Sequence, residues 1–237
     1  METGLLDLLT SVRCAGCGVA GAGRVPVCAA CAPAFGARPY RVPLRPPPGA
    51  RTAPGMPAIW AAARYEGPVR AAVLAYKERA RRELASLLAD LLARAVSAAL
   101  APTAPGPGPP VVIVGVPARR AAAMRRGDHP VARLGGRAAR ARGSVFLDVL
   151  RYRRPVADQA GLTAGARAAN LAGAFHVPPT RLPLLRAAVE AGARVLVVDD
   201  VCTTGATLGE AARALAAGGA PPTAAAVVAA PVLRHRG

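Results

Sequence analysis

The sequence has a single lysine, Lys77; the remaining basic residues are all arginine. A Walker A loop needs Gly-Lys-Ser/Thr, and Lys77 stands in Ala-Tyr-Lys-Glu, so P-loop nucleotide hydrolysis is excluded. No Gly-x-Ser-x-Gly elbow occurs, which removes the α/β-hydrolase chemistry built on it. The three histidines, His129, His176 and His235, form no His-Glu-x-x-His pattern. Aromatic residues make up only 3% of the chain, so any core must be built from Leu, Val and Ala. Long unbroken apolar runs are also missing. The uncharged stretches 95–118 and 214–233 are interrupted by prolines 102, 105, 107, 109 and 110, and by Gly218, Gly219, Pro221 and Pro222. Neither reads as a membrane span. Met1-Glu2-Thr3 lacks the basic start of a secretory signal. The expectation is a cytoplasmic protein whose thiols stay reduced.

Acidic residues are few: 13 against 31 basic ones leave a net charge of +18. Such a surplus attracts phosphate ligands and nucleic acid. The 237 residues suffice for one sizeable core and a small appendage. Four of the five cysteines fall within residues 1–35, and residues 36–57 are rich in proline. The expected division is therefore a cysteine element at 1–35, a connector at 36–57 and a main domain at 58–237. Within that domain, 59–65 reads as a strand, and Pro68 stands where a helix can begin. Leucines at helical spacing mark 80–99 as an amphipathic helix. The run Val111-Val112-Ile113-Val114-Gly115-Val116 reads as a buried parallel strand. Further strands are expected at 146–152, 194–199 and 223–232, and helices at 163–171 and 205–217. Strands alternating with helices predict an α/β domain with a mostly parallel sheet.

Cys14-x-x-Cys17 and Cys28-x-x-Cys31 are two knuckles, each presenting two thiolates to one ion. Together they complete a tetrahedral shell, and the spacing points to structural Zn²⁺. An iron–sulfur cluster, a redox dithiol pair or a metal-free remnant would use the same residues.

The most informative stretch is Val195-Leu196-Val197-Val198-Asp199-Asp200-Val201-Cys202-Thr203-Thr204-Gly205-Ala206-Thr207-Leu208. It reads as a buried strand, two carboxylates at its carboxyl end, a small hydroxyl-rich turn, and a helix. Thr203, Thr204 and Thr207 offer hydroxyls, Gly205 and Ala206 admit close approach of the backbone, and the helix N-terminus supplies free N–H groups. This cradles a phosphate without lysine. The acidic pair would repel a bare phosphate, so the ligand should also carry hydroxyls or a divalent cation. A sugar phosphate meets both demands. The bland alternative is a strand–turn–helix whose acids merely cap the helix.

These residues resemble the phosphoribosyl diphosphate motif of type I phosphoribosyltransferases. The resemblance implies that fold, with a small N-terminal zinc-binding element. It implies that Asp199 and Asp200 contact the ribose hydroxyls as the catalytic pair, with Mg²⁺ accompanying the diphosphate. It implies a phosphate loop of Val201, Cys202, Thr203, Thr204, Gly205, Ala206 and Thr207. Cys202 occupies a variable position, and a packed thiol is expected there. The four-cysteine element makes the chain similar to the ComF competence family. Tyr65-Glu66-Gly67-Pro68-Val69-Arg70 leading towards Lys77, Val116-Pro117 with Arg119-Arg120, Arg125-Arg126-Gly127, Gln159-x-Gly161-Leu162, Arg167 and Asn170 carry that similarity further. Asp128-His129-Pro130 replaces the family's Phe-Asn-Gln, so no base contact is assigned there.

By resemblance, the turn at 116–120 is the diphosphate loop, and its candidate ligands are Arg119 and Arg120, whose forks match phosphate oxygens. Arg167, with Asn170, reads either as a helix-surface pair or as part of the lid of the site. Arg133, Arg137 and Arg140 fall on one helix face and read either as a nucleic-acid track or as a solvated surface. Two functions follow. One is an enzyme that passes phosphoribose to a nitrogen acceptor. The other is a non-catalytic factor in single-stranded DNA uptake, partnered by DNA or uptake proteins, or in nucleotide sensing.

Overall fold

The structure, a computed structural model, describes residues 13–20, 26–44, 55–101, 108–118, 129–156 and 163–232. The main sheet contains strands β1 (Tyr40–Arg41), β2 (Ala58–Arg64), β3 (Val111–Gly115), β4 (Val145–Leu147), β7 (Arg194–Val201) and β8 (Ala224–Ala230). Their order is β1-β2-β8-β7-β3-β4, parallel throughout except for the antiparallel edge strand β1. Helices α1 (Gly67–Glu78), α2 (Ala85–Ala99), α3 (Pro130–Ala141), α4 (Ala164–Leu171), α5 (Leu182–Glu190) and α6 (Ala206–Ala217) complete the α/β architecture. Among the described residues no helix is long and apolar enough to cross a membrane.

The scarcity of aromatics is met by thin packing. Every residue of β8, Ala-Ala-Ala-Val-Val-Ala-Ala, is buried, and Ala61, Ala62 and Ala63 of β2 are fully enclosed. Methyl side chains let α2 lie close on both strands, through Leu88, Leu91, Leu92 and Val96. Where a large ring does enter, glycine makes room. A Cβ on Gly135 of α3 would stand 2.4 Å from the Phe146 ring, so α3 packs at this depth only with glycine there.

The expected strand at 146–152 is two strands in two sheets. The chain leaves the main sheet after Leu147; Asp148 is held by the Arg151 guanidinium at 2.9 and 3.0 Å. Arg151–Tyr152, strand β5, then pairs antiparallel with β6, Phe175–His176. The break is masked in the sequence because Val149 and Leu150, between Asp148 and Arg151, stay fully buried while turning away. Helix α5 was not anticipated.

Residues 40–41, within the proline-rich stretch, add the edge strand. Val42 N–H donates to the Ile59 carbonyl at 2.8 Å, and the Tyr40 hydroxyl donates to the Ala230 carbonyl at 2.7 Å. Pro39 and Pro43 flank this strand, and an edge tolerates their missing donors. The cysteine element is also fastened to the main domain. A Cβ on Gly16 would lie 2.8 Å from Pro68 of α1, and Arg94 of α2 donates to the carbonyls of Phe35 (2.6 Å) and Ala37.

Candidate functional site

The parallel strands bring the carboxyl ends of β3, β7 and β8 to one edge, where open α/β sheets bind ligands. Strand β7 is apolar from Val195 to Val198, then delivers Asp199 and Asp200, both buried. The chain turns at once: Cys202 N–H donates to Ala229 of β8 at 3.1 Å. Gly205 adopts φ +79°, a left-handed conformation that glycine takes without strain, and helix α6 starts directly after it. The first turn of α6 holds no acid. Residues 199 and 201–208 line one small cavity. Thr203 is exposed, and Thr204 and Thr207 are half-buried. Thr204 Oγ1 also accepts the Ala206 N–H at 3.4 Å. Cys202 is buried, and burial pushes its thiol up to about 12, so it packs and does not react.

The two acids are not equivalent. Asp199 lines the cavity, and its Oδ1 accepts the Asp200 backbone N–H at 2.8 Å. Burial, with the Asp200 charge beside it, raises the Asp199 carboxyl well above the usual carboxylate range. Asp200 receives Lys77 Nζ from α1 at 2.9 and 3.1 Å. The Asp200 charge in turn raises the Lys77 pKa, so the ammonium is retained. A buried acid whose carboxyl is pushed upward thus sits beside an acid paired with Lys77.

Helix α4 brings Arg167 to the turn. Thr163 caps α4 by accepting the Ala166 N–H, and Arg154 closes its far end on the Asn170 and Ala172 carbonyls at 2.9 and 3.0 Å. Arg167 Nη1 then reaches Thr203 Oγ1 at 3.5 Å, while its Nε is buried without a partner among the described residues. Behind the turn, buried Glu210 of α6 accepts the Phe175 N–H at 2.9 Å and pairs with Arg213 at 2.7 Å, fixing α6 against β6. Arg119, Arg120, the Arg125-Arg126-Gly127 segment and Gln159 to Leu162 lie outside the described residues. Pro130 opens α3 and its carbonyl accepts the Tyr76 hydroxyl at 3.2 Å. Of the basic helix face, Arg137 donates to Ser86 of α2 at 2.9 Å, and Arg140 is exposed.

The four cysteines converge. One sulfur from each of Cys14, Cys17, Cys28 and Cys31 lies within 4.8 Å of every other, and Cys17 and Cys28 stand 3.7 Å apart. A tetrahedral ion with sulfurs at about 2.3 Å sets them about 3.8 Å apart, so the cluster fits a metal ion. None of the four is disulfide-bonded. Gly16 and Cys28 N–H groups each donate to Cys14 Sγ at 3.3 Å. Burial opposes ionisation of Cys14, but these backbone donors prevail and lower it to about 6. If Cys28→Ser empties the cluster, the loss should spread. Because the element packs on α1 and α2, the whole chain should melt earlier, by about 2–4 °C per kcal/mol lost. Calorimetric melting alongside metal analysis checks this; an unchanged main transition would show the element to be uncoupled.

The sequence reading places Lys77 in a family-like segment without assigning it to the site, whereas the structure brings it to Asp200. Lys77 is the one lysine of the chain, and its compact ammonium meets both Asp200 oxygens.

A strand ending in paired acids, followed by a hydroxyl turn and an open helix N-terminus, makes this an α/β protein whose sheet edge offers hydroxyls and backbone N–H groups beside two carboxyl groups. The sequence model of the phosphoribosyl transferase domain matches residues 94–233, and the chain belongs to that family. No curated protein matches the chain.

Proposed function

We propose that this chain binds phosphoribosyl diphosphate and transfers its phosphoribosyl group to a nitrogen acceptor. The observation that carries the reading is the turn from Asp199 to Thr207, whose left-handed Gly205 sets the start of α6 against a cavity lined by hydroxyls. In this reading Thr203 to Thr207 hold the 5-phosphate through backbone N–H groups and hydroxyls. Asp199 and Asp200 take the ribose hydroxyls, and Asp199 also fixes the Asp200 backbone. Arg167 already reaches Thr203 Oγ1 through Nη1, which places its guanidinium beside the phosphate turn. Arg119 and Arg120 serve the diphosphate. The C1–O bond to diphosphate breaks, a C1–N bond forms, and the nitrogen gives up a proton. Positioning and charge stabilisation supply the rate. The acid pair suits Mg²⁺, which would arrive with the diphosphate and neutralise its charge.

The same reading assigns the cysteine cluster to structural Zn²⁺, within a ComF-like division into an element at 1–35, a connector at 36–57 and a transferase domain at 58–237. The NH–S bonds to Cys14 and the sulfur spacing support the metal; about one zinc per chain is expected. Iron with visible absorbance in the purified protein would overturn it. The accessory reading, in DNA uptake or nucleotide sensing, draws on the net charge of +18, whereas the Arg137 bond to Ser86 favours a packed helix surface.

The deciding experiment is a calorimetric titration of phosphoribosyl diphosphate with and without Mg²⁺, followed by a screen of nitrogenous acceptors for diphosphate release. Binding with transfer supports the enzyme. Binding without transfer to any acceptor moves the chain to the accessory role, and no heat at millimolar ligand rejects the site.

A further inference from the structure

Helix α6 begins with a notch that carries no side chains. Gly205 and Gly209 stand four residues apart and share one face, and the Gly209 N–H donates to the Gly205 carbonyl at 2.8 Å. Glycine inside a helix is normally unfavourable, because it orders a freer backbone and packs no side chain. Here another residue uses the space. Met56 Cε lies 3.0 Å from where a Gly205 Cβ would stand, and Met56 Sδ lies 3.2 Å from where a Gly209 Cβ would stand. Leu44 closes the notch, with Cδ2 and Cδ1 at 3.1 and 3.2 Å from the same Gly205 position. Both side chains are partly buried against the core, and both come from the proline-rich stretch 36–57. The pairing of β1 with β2 delivers them. Val42 N–H holds the Ile59 carbonyl at 2.8 Å, Leu44 follows two residues after Val42, and Met56 stands two residues ahead of β2.

The contact falls on the turn to which the reading above gives the 5-phosphate. The backbone N–H groups of that turn share one aim only while Gly205 keeps φ +79° and α6 starts in place. Met56 packs on Gly205 and reaches one helical turn further to Gly209, so it braces the left-handed residue and the start of the helix together. An unbranched thioether suits a notch of this shape. We propose that Met56 is a positioning residue for phosphate binding: it wedges into the Gly205–Gly209 notch and holds the turn in its anion-binding form. The proline-rich stretch is then part of the site and not only a link between the cysteine element and the main domain. The inference rests on the phosphate turn of the reading above. It places a determinant of that turn outside the matched range 94–233.

The test uses the full chain with inorganic phosphate as the probe, and takes a calorimetric titration and a melting curve on each variant. Met56→Ala should weaken phosphate about tenfold, the equivalent of one of the turn's bonds to the anion. Met56→Leu, which refills the notch, should bind within about threefold of wild type. Gly209→Ala should also weaken phosphate, although alanine is the better helix former, because its Cβ meets Met56 Sδ. Combining Met56→Ala with Gly209→Ala separates positioning from stability. The shortened side chain leaves room for the added methyl group, so the double variant should bind phosphate no more weakly than Met56→Ala alone. Wild-type phosphate affinity in Met56→Ala, or losses that multiply in the double variant, would overturn the wedge. If wild type itself binds no phosphate, the underlying reading fails instead. Should Met56→Ala not fold, Gly209→Ala decides: weakened phosphate supports the wedge, and unchanged phosphate rejects it.

Discussion

Gly205→Val should abolish binding of both inorganic phosphate and phosphoribosyl diphosphate, a loss of more than about a hundredfold. Two effects combine. At φ +79° a residue with a Cβ is strained by about 1–2 kcal/mol, and a β-branched one fares worst. The Cβ would also stand 3.0 Å from Met56 Cε and 3.1 Å from Leu44 Cδ2. In the structure the side chain points at Leu44 and Met56, so the turn itself must shift and its N–H groups lose their common aim. The fold should survive, because the turn lies at the sheet edge, with melting lowered by about 4–8 °C for about 2 kcal/mol of strain. Gly205→Ala should show a smaller version of both effects. Phosphate titrations with a melting curve on each variant check this; wild-type phosphate affinity in Gly205→Val would remove the turn from the site.

Asp200→Asn should fail differently. It keeps size and hydrogen bonding but removes the charge that holds Lys77 at 2.9 Å. Mg²⁺-dependent binding of phosphoribosyl diphosphate should fall roughly ten- to a hundredfold, as expected for losing a hydrogen bond to a charged group at about 1.5–3 kcal/mol. Inorganic phosphate, held by the turn alone, should bind as before. The half-exposed Lys77 can turn to water, so the variant should fold normally. Equal loss of both ligands would mean that Asp200 supports the turn instead of meeting the sugar.

Much of the parallel sheet could be read from the sequence, because runs such as Val195 to Val198 and Val111 to Val114 are apolar without alternation and bounded by breakers. The turn after β7 was equally legible, since its chemistry is local: strand, acids, hydroxyls, glycine and helix follow one another in fourteen consecutive residues, 195–208. What escaped is non-local. Lys77 meets Asp200 across 123 positions, and no short-range pattern records that pairing. Strand β1 has two residues and sits among prolines, so its only signature is its partner. Phe146 and Gly135 needed the tertiary approach of α3 to explain each other.

The edge strand has a consequence for how the chain can be divided. β1 and the Tyr40 hydroxyl occupy backbone groups of β2, Ala63 and β8 that would otherwise face water. A chain beginning at residue 58 would keep the transferase-type sheet but expose the flank of β2, whose Ala-Ala-Ala run offers unpaired N–H and C=O groups and little charge to repel a second copy. The residues ahead of the domain therefore also act as a stopper against strand-to-strand self-association. A truncated protein that aggregates on purification would reflect an uncovered flank and not a misfolded core.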